Sequence, residues 1–337
     1  MRIIRLGSSG KNYGGNIYES YIDRTFTEAH PDECDYEVVK YQFRLKGSLR
    51  LLEVPFFILF CWRYSRNDDF FVIRNFNTAF FPLKNRSQGC TIVYHIDETG
   101  SRPLVALFQK ILEWFFFLQL SSEDNLIVIA EYWKKYFSKK GYTKIKLIYC
   151  PFEMEKYSIS EDQVREFKKR HGFSDKPILY LGNPQKKKGI LVAFRVAQKI
   201  DAYLVSSGEG EHKELGSRLR HMKLSFQEYL ILLKASTVVL TMSLFKEGWC
   251  RVAHEALLLG TPVIGSGAGG MTEVLAQGGG IICERAENLE KVLSDFLKGQ
   301  NIKVKDRARE FEFLRSFTVQ RFNDEFRKML IDLGAIE

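Results

Sequence analysis

The chain alternates short apolar runs with helix-length segments, and this alternation constrains its fold more than any other feature. Apolar runs rich in Val, Ile and Leu are typical of buried strands, and a helix between two of them provides a parallel crossover. The first half of the chain therefore predicts a parallel sheet with helices on both faces. The predicted strands are 2–6, 70–73, 91–95, 126–130 and 145–149, and the predicted helices are 16–29, 46–64, 102–120 and 131–140.

The same pattern restarts after Pro151 and a charged helical segment at 161–171. A chain of 337 residues exceeds what one core usually fills. We therefore predict an α/β fold of two doubly wound, Rossmann-like domains that face a central cleft. The predicted domains are 1–160, 161–310 and a C-terminal helix, 311–337, that packs back on the first domain. The second set of strands is 177–182, 202–205, 237–241, 262–265 and 280–283, and its helices are 189–200, 211–220, 226–235, 250–259 and 287–298.

Basic residues outnumber acidic ones, which gives a net charge of +9 and a pI near 9.1. The excess is concentrated between Lys40 and Arg86, where nine Lys and Arg residues stand against three acidic residues. This balance predicts an acidic partner: a nucleic acid, an anionic lipid or a phosphorylated ligand. No zinc-ligand spacing or basic recognition helix accompanies it, so we expect no nucleic acid as partner.

The six cysteines are scattered and form no C-x-x-C pair, which indicates reduced thiols in the cytoplasm. The first apolar run is too short for a signal peptide. Residues 51–62 and 104–120 are apolar but carry charges, and neither reaches the ~20 apolar residues that a membrane span needs. Two interpretations remain open: helices half-buried in their own domain, or helices that contact an anionic membrane from its inner face.

Two carboxylates, Glu247 and Glu255, flank the predicted start of a helix. Glu247 lies on a loop after the strand at 237–240, and Glu255 lies inside a helix that ends before Gly260. A helix N-terminus offers unpaired N–H groups and the positive end of the helix dipole, which suits a diphosphate with a carboxylate on each side. The alternative is that Glu247 only interacts with the dipole and that Glu255 is solvated.

Two loops between a strand and a helix carry groups that suit an anion. In the loop 8–16, Gly14 and Gly15 would let the backbone approach a phosphate; the alternative is a flexible turn. In the run 182–189, Lys188 can reach a phosphate; the alternative is a solvated charged loop.

Two further loops follow predicted strands at their carboxyl ends. Gly208, in the segment 205–211, either lines a nucleotide pocket or forms a plain tight turn. His95 either binds a hydroxyl or phosphate or is a structural histidine whose hydrogen bonds are satisfied.

Residues 265–270 match the pattern G-x-G-x-x-G after a predicted strand, which is the dinucleotide-binding fingerprint. The predicted helix after it, 271–276, is shorter than the crossover of such a unit requires. We therefore expect a glycine loop that lies close to a substrate. No D-x-D pair appears beside a strand, so no metal that clamps a diphosphate is predicted.

The segment around Glu247 resembles the nucleotide-binding core of the retaining GT-B glycosyltransferases, of the group 1, family 4 type. The resemblance covers nearly the whole chain and is most specific at 177–285. It implies a GT-B fold, in agreement with the two Rossmann-like domains predicted from the strand pattern. The matching motifs are Glu247-Gly248-Trp249, Glu255-Ala256, Gly260-Thr261-Pro262-Val263-Ile264, and Gly269-Gly270 followed by Glu273.

The resemblance implies three catalytic residues. Glu247 would contact the transferred sugar, Lys188 would neutralise the diphosphate, and His95 would lie near the sugar or the acceptor. Glu255 would hold the ribose hydroxyls of the donor.

The resemblance also implies a donor-binding set and a phosphate or acceptor loop. Within the donor-binding set, the backbone of 248–252 would bind sugar hydroxyls and phosphate. The family usually has Arg where Asn183 stands, and Cys250 replaces a common Gly; Lys186 or Lys187 can supply the missing cation. The donor-binding set is Glu255, Asn183, Gly182, Gly208, Gly248, Trp249, Cys250, Arg251 and Val252, and the phosphate or acceptor loop is Gly14 and Gly15.

These features lead us to expect a retaining, metal-independent glycosyltransferase without a cofactor. Its donor would be a UDP-, GDP- or ADP-sugar, and its acceptor a glycan or lipid-linked sugar in cell-surface polysaccharide or glycolipid synthesis. The alternatives are a catalytically weak module that binds sugar nucleotides, a GT-B-fold epimerase, and an oxidoreductase that uses the glycines of 265–270.

Overall fold

The computed structural model of the protein describes residues 1–8, 14–45, 49, 52–96, 103–208, 213–299 and 306–337. The chain forms two compact units, of which the first comprises Met1–Pro151 with Val319–Glu337 and the second comprises Phe152–Thr318. Each unit contains one parallel sheet of six strands with helices between the strands. The prediction of an α/β protein with two doubly wound sheets is confirmed.

The first unit is built on the sheet order β2-β1-β3-β4-β5-β6. Its strands are β1 (Arg2–Ser8), β2 (Tyr36–Tyr41), β3 (Phe70–Asn75), β4 (Gly89–Val93), β5 (Asn125–Val128) and β6 (Ile145–Leu147). Its helices are α1 (Gly14–Arg24), which continues into a π-helix (Thr25–Ala29), α2 (Val54–Ser65), α3 (Pro103–Gln119), α4 (Glu131–Lys139) and, from the C-terminus, α12 (Val319–Asp332).

The central strands of this sheet are almost continuously apolar because helices cover both of its faces. Ile3, Phe71 and Ile92 are fully buried. The C-terminal helix α12 packs on α1, where the ring centroids of Phe322 and Tyr18 lie 5.2 Å apart. The last residues of the chain therefore complete the core of its first unit.

The second unit is built on the sheet order β12-β11-β10-β7-β8-β9. Its core is lined by Leu179, Val238 and Ile264 from the sheet and by Ile190 from a covering helix. Its strands are β7 (Ile178–Tyr180), β8 (Tyr203–Ser207), β9 (Leu219–Met222), β10 (Val238–Thr241), β11 (Val263–Gly265) and β12 (Ile281–Ile282). Its helices are α5 (Glu161–Arg170), α6 (Ile190–Lys199), α7 (Phe226–Ala235), α8 (Arg251–Leu258), α9 (Met271–Gln277), α10 (Leu289–Leu297) and α11 (Arg307–Arg315).

The strands β2 and β9 are absent from the sequence-based prediction. The predicted helix 211–220 is wrong, because residues 213–218 form short 3-10 turns that are interrupted by a kink at Gly216, and the strand β9 follows directly. Both missed strands lie at a sheet edge and are mostly half-exposed. An edge strand needs no continuous apolar run, so polar residues such as Glu37 and Arg220 hide its pattern.

The units divide at 151 and 318, whereas the sequence predicted boundaries at 160 and 310. The first and last residues of the second unit lie side by side, since the N–H group of Phe152 donates to the carbonyl of Phe317 at 2.8 Å. The predicted C-terminal helical segment consists of two helices, α11 and α12, in different units.

Every strand of a parallel sheet ends at the same edge, so the loops after the strands gather there. The predicted loop residues 9–13 and 209–212, and residues 97–102 that follow His95, lie outside the described residues.

Among the helices in the described part of the chain, none is both long and apolar enough to cross a membrane.

Gly189 joins a 3-10 turn (Lys186–Lys188) to α6 with a φ of +85°. A Cβ atom at this position would lie 2.4 Å from the carbonyl oxygen of Met242. Gly189 therefore lets the loop after β7 pack directly on the residue that follows β10.

We expect Gly189→Ala to destabilise the second unit more than Gly260→Ala. Both put a side chain at positive φ, which costs about 1–2 kcal/mol, and Gly260 has a φ of +75° with no atom within 4 Å of an added Cβ. Only Gly189→Ala also collides with backbone, which adds about 1–3 kcal/mol. Urea unfolding followed by circular dichroism measures both losses, and equal losses would contradict the close approach.

Candidate active site

The predicted site residues of the second unit lie together at the carboxyl edge of its sheet. They belong to the loops after β7, β8 and β10 and to the helix α8. The loops after β7 and β8 are joined by a hydrogen bond from the Ser207 N–H to the Gly182 carbonyl, 3.0 Å long. The residues brought together are Gly182, Asn183, Lys188, Gly208, Glu247, Gly248, Trp249, Cys250, Arg251, Val252 and Glu255.

The backbone of Glu247 is fixed by the glycine run after β11. Its N–H donates to Ala268 at 3.1 Å, and its carbonyl accepts from the N–H of Gly270 at 2.9 Å. Gly269 lies between these two with a φ of +69°, and a Cβ there would come within 2.5 Å of the Glu247 carbonyl oxygen. The glycines that match the dinucleotide fingerprint therefore have a structural role, because they let two loops touch.

The side chain of Glu247 is 7% exposed and is held by two donors. Its Oε1 lies 2.5 Å from Nζ of Lys188 and also accepts a hydrogen bond from Oγ of Ser243. The Lys188 ammonium lies 4.7 Å from the ring centroid of Phe245. A buried carboxylate without partners is strongly unfavourable, so the cation and the hydroxyl are what allow Glu247 to be charged here.

Glu255 lies inside α8 and is 4% exposed. Its Oε2 accepts a hydrogen bond from the hydroxyl of Tyr229 at 2.6 Å, and its Oε1 accepts from Tyr157 at 3.3 Å and from Arg251 at 3.0 Å. Burial and the Glu255 charge hold the pKa of Tyr229 well above its usual value, so this phenol stays protonated and donates. The Arg251 guanidinium also lies 4.3 Å from the ring centroid of Phe152.

Two predicted residues at the start of α8, Trp249 and Cys250, are buried. The indole N–H of Trp249 donates to Nδ1 of His254 at 3.2 Å, and Nε2 of His254 lies 2.9 Å from the Leu314 carbonyl. Burial raises the pKa of the Cys250 thiol to about 12, so it stays protonated. These two residues can therefore reach a ligand only through their backbone N–H groups, which at a helix start have no intrahelical acceptor.

His254 is held as the neutral tautomer with its proton on Nε2. An indole N–H can only donate and a carbonyl can only accept, so Nδ1 of His254 accepts from Trp249 and its Nε2 donates to Leu314. The imidazole stacks on Phe152 with 4.0 Å between ring centroids. Burial lowers the pKa of His254 to about 3.

The loop after β7 begins with Gly182, whose φ is +82°. A Cβ at Gly182 would lie 3.7 Å from Cγ2 of Val252, so this loop passes beside the first turn of α8. Oδ1 of Asn183 is buried and has no hydrogen-bond partner among the described residues. At the end of β8, Gly208 has a φ of +87° and no atom within 4 Å of an added Cβ.

Lys187 is one of the two lysines that the sequence offers as a replacement for the cation missing at Asn183. Its Nζ lies 5.0 Å from the ring centroid of Phe245, the same ring that Lys188 approaches. Its carbonyl accepts from the N–H of Leu244 at 2.8 Å, which joins the lysine turn to the loop before Glu247.

The other predicted residues, Gly14, Gly15 and His95, lie in the first unit at the carboxyl ends of β1 and β4. Gly14 begins α1, and His95 is half-buried directly after Tyr94. The Tyr94 hydroxyl donates to Oε1 of Glu19 on α1 at 3.0 Å. A buried network thus fixes the backbone next to His95 against α1.

The sequence analysis missed the residues that hold the two carboxylates. Tyr157 and Tyr229 precede Glu255 by about 100 and about 25 positions, so no local pattern links them to it. Ser243 lies four residues before Glu247 and is the one that its spacing would have allowed us to find.

Comparison with known proteins supports the resemblance found in the sequence. Residues 163–311 match the model of the family Glycosyl transferases group 1. An uncharacterized glycosyltransferase of Methanocaldococcus jannaschii is 32% identical over 152 residues, which cover 39% of this chain and 38% of that relative's length. The resemblance to the group 1 glycosyltransferases is therefore confirmed for residues 163–311.

Solved structures show the same fold over almost the whole chain. HepE of Anabaena, in complex with UDP and glucose, is 16% identical with a TM-score of 0.70 over 98% of this chain and 100% of that chain. Sucrose-phosphate synthase from Thermosynechococcus elongatus is also 16% identical, with a TM-score of 0.72 over 99% of this chain and 100% of that chain. The predicted GT-B fold is confirmed.

We expect the stability of the second unit to depend on pH through His254. Its pKa falls from 6.5 in the unfolded chain to about 3 in the folded protein, so the folded state is favoured above pH 6.5 and loses stability as pH falls toward 3. The slope contributed by this group approaches about 1.4 kcal/mol per pH unit. The free energy of unfolding, measured in urea between these pH values, should therefore change less with pH for His254→Gln than for the parent protein. An identical dependence on pH in both proteins would contradict the assignment.

Proposed function

We propose that this protein is a retaining, metal-independent glycosyltransferase that moves a sugar from a nucleoside-diphosphate sugar to a glycan or lipid-linked acceptor. The donor is a UDP-, GDP- or ADP-sugar, and no cofactor takes part. The observation that carries the proposal is the ion pair of Lys188 with Glu247 at 2.5 Å, placed beside the start of α8. The reaction would serve cell-surface polysaccharide or glycolipid synthesis on the inner face of the membrane.

The charges at this edge match those that develop during sugar transfer. As the bond from the sugar to the diphosphate breaks, negative charge grows on the phosphate and positive charge on the anomeric carbon. An ammonium has three donors, so Lys188 can keep Glu247 and still bind a phosphate oxygen. The first N–H groups of α8 would add to this stabilisation, and Glu247 would face the positive carbon.

Glu255 suits the ribose of the donor. A carboxylate oxygen accepts more than one hydrogen bond, and its bond to Tyr157, at 3.3 Å, is the longest that it accepts. Ribose hydroxyls can replace this bond without removing the shorter bond to Tyr229, so the carboxylate stays oriented when the donor binds. Retention fits attack on the same face as the leaving phosphate, which takes the acceptor proton; a covalent intermediate on Glu247 is the alternative route.

The alternatives differ in what they require of this site. A catalytically weak module would follow from Asn183, whose buried Oδ1 has no partner among the described residues and which supplies no charge to a diphosphate. An oxidoreductase would need the glycines of 265–270 for a dinucleotide, but these glycines already serve the contact with Glu247. A GT-B-fold epimerase would release nucleotide without an acceptor.

We expect one class of nucleoside-diphosphate sugar to raise the thermal midpoint of the protein. We also expect Glu255→Gln to weaken the binding of that donor. Glutamine keeps the shape of the side chain but loses the charge, and a hydrogen bond to a charged group contributes about 1.5–3 kcal/mol, so affinity should fall at least tenfold. Thermal shift with UDP-, GDP- and ADP-sugars, free nucleotides and NAD(P) measures this. Glu290→Gln, an exposed glutamate on α10, is the matched control.

A midpoint shift produced by NAD(P) alone would contradict the proposed donor. So would a donor shift that Glu255→Gln leaves unchanged while its fold is intact.

We expect Lys188→Met to lower the rate at which the bound donor releases nucleoside diphosphate by about 100- to 1,000-fold, because it removes a charge that stabilises the leaving group. Lys199→Met, an exposed lysine at the end of α6, should retain most of the activity. Coupled detection of nucleoside diphosphate measures both variants. Equal rates in both would remove Lys188 from the proposed mechanism.

A further inference from the structure

We propose that α2 and α3 of the first unit form a surface that docks on an anionic lipid membrane. We call this surface the apolar face. The inference goes beyond the proposed transfer reaction and rests only on the side chains of the first unit. The apolar face consists of Leu52 just before α2, of Phe56, Leu59 and Trp62 along α2, and of Ile111, Trp114, Phe115 and Leu118 along α3.

The outward side of α2 is a continuous apolar stripe. Leu52, Phe56, Leu59 and Trp62 recur at helical spacing and are 66%, 64%, 58% and 47% exposed. The inward side of α2 is apolar as well, since Phe57 is buried. A helix that is apolar on both sides has more apolar surface than its own unit buries, which marks the outer stripe as an interaction site.

The described part of α3 repeats this arrangement. Ile111, Trp114, Phe115 and Leu118 follow the spacing of one helix face and are 43%, 59%, 45% and 64% exposed. Phe116, between them, is buried against the unit. Eight of the nineteen large apolar side chains that are exposed in the described chain belong to the apolar face.

The two stripes lie on the same side of the sheet. Parallel crossovers are right-handed, and the connections through α2 and α3 run in the opposite direction across the sheet from that through α1. The short segment after β3 touches both helices, with ring centroids 5.7 Å apart for Phe80 and Phe57 and 4.6 Å apart for Phe76 and Phe116. The opposite side of the sheet carries α1 and α12, which pack on each other.

The charge around the apolar face is positive. Two of the basic residues between 40 and 86 contribute little charge to the surface, because Arg74 is fully buried and Arg86 pairs with Asp124. Lys40, Arg44, Arg63 and Arg66 of this segment stay exposed, and Lys110 is exposed on α3. Arg63 continues the stripe of α2 one turn beyond Leu59, and Lys110 precedes Trp114 by one turn on α3.

An anionic lipid surface fits these observations better than a second copy of the chain. A two-fold dimer through the apolar face would place Arg63 and Lys110 of one copy against the same basic surface of the other, and like charges would oppose it. A lipid surface provides phosphate charges for these cations, a boundary for Trp62 and Trp114, and hydrocarbon for the leucines.

The test is binding of the whole protein to vesicles, measured by flotation and by intrinsic fluorescence. Vesicles of phosphatidylcholine with an equal part of phosphatidylglycerol should bind the protein, and vesicles of phosphatidylcholine alone should bind it at least tenfold more weakly. Trp133 and Trp249 are already buried, so a blue shift of the emission reports on Trp62 and Trp114. Added salt should weaken the binding.

Three variants separate binding through this surface from nonspecific adsorption. Phe115→Ser should weaken vesicle binding about tenfold. Phe311→Ser, on α11 of the second unit, should leave it unchanged, although the two rings are 45% and 44% exposed. Arg63→Gln with Lys110→Gln should lower binding to anionic vesicles and leave binding to neutral vesicles as it was. All four side chains are exposed, so the thermal midpoint of each variant should equal that of the parent protein.

Three results would overturn the proposal: no binding to either vesicle, equal binding to both, or a dimer in sedimentation that Phe115→Ser dissociates. The last would assign the apolar face to a second copy of the chain. Stabilisation by a sugar nucleotide in the same preparation reports on the proposed reaction separately, so failure of docking and failure of that function are distinguishable.

Discussion

The second unit depends on keeping two carboxylates charged where almost no water reaches them. Glu247 and Glu255 are 7% and 4% exposed, and burying an ion without partners costs several kcal/mol, roughly. Each carboxylate therefore needs donors brought from elsewhere in the chain. Lys188 comes from the loop after β7, and Tyr229 comes from α7. Hydrogen bonds and ion pairs to these two carboxylates hold the loops at the carboxyl edge of the sheet in place.

Glycines make these meetings geometrically feasible. Gly189 allows the lysine turn to rest on the carbonyl of Met242, and Gly269 allows the loop after β11 to rest on Glu247. At both positions an added Cβ would fall within 2.5 Å of backbone oxygen. Close contacts between backbone segments therefore position the side chains of the site. This explains why glycines in a pattern typical of dinucleotide binding occur here, although they serve contacts between loops.

The first unit also buries charged side chains, but their partners differ. Its buried Arg5 bonds Asp23 through two nitrogens and Glu19 through a third, each at 2.6 Å, which ties β1 to α1. Arg74 is fully buried without an acidic hydrogen-bond partner among the described residues, and burial lowers its pKa to about 10. This unit places its apolar surplus on the outside of α2 and α3, whereas the second unit concentrates buried charge at one sheet edge.

The sequence determined the class of the fold and the position of the central motif. Buried parallel strands must be continuously apolar, so β1, β3, β4, β7 and β10 were visible as runs, whereas the half-exposed edge strands β2 and β9 were not. Helix starts after strands likewise pointed to Glu247, Lys188 and Glu255.

Only the tertiary structure decided which partners those residues have. Hydrogen bonds between residues about 100 positions apart, such as that from Tyr157 to Glu255, leave no local trace. The inward turn of Trp249 onto His254 depends on Phe152 and Leu314 meeting them, and the outward face of α3 depends on what its own unit leaves uncovered. Periodicity fixes which side chains share a face, but packing between distant segments fixes which face is buried.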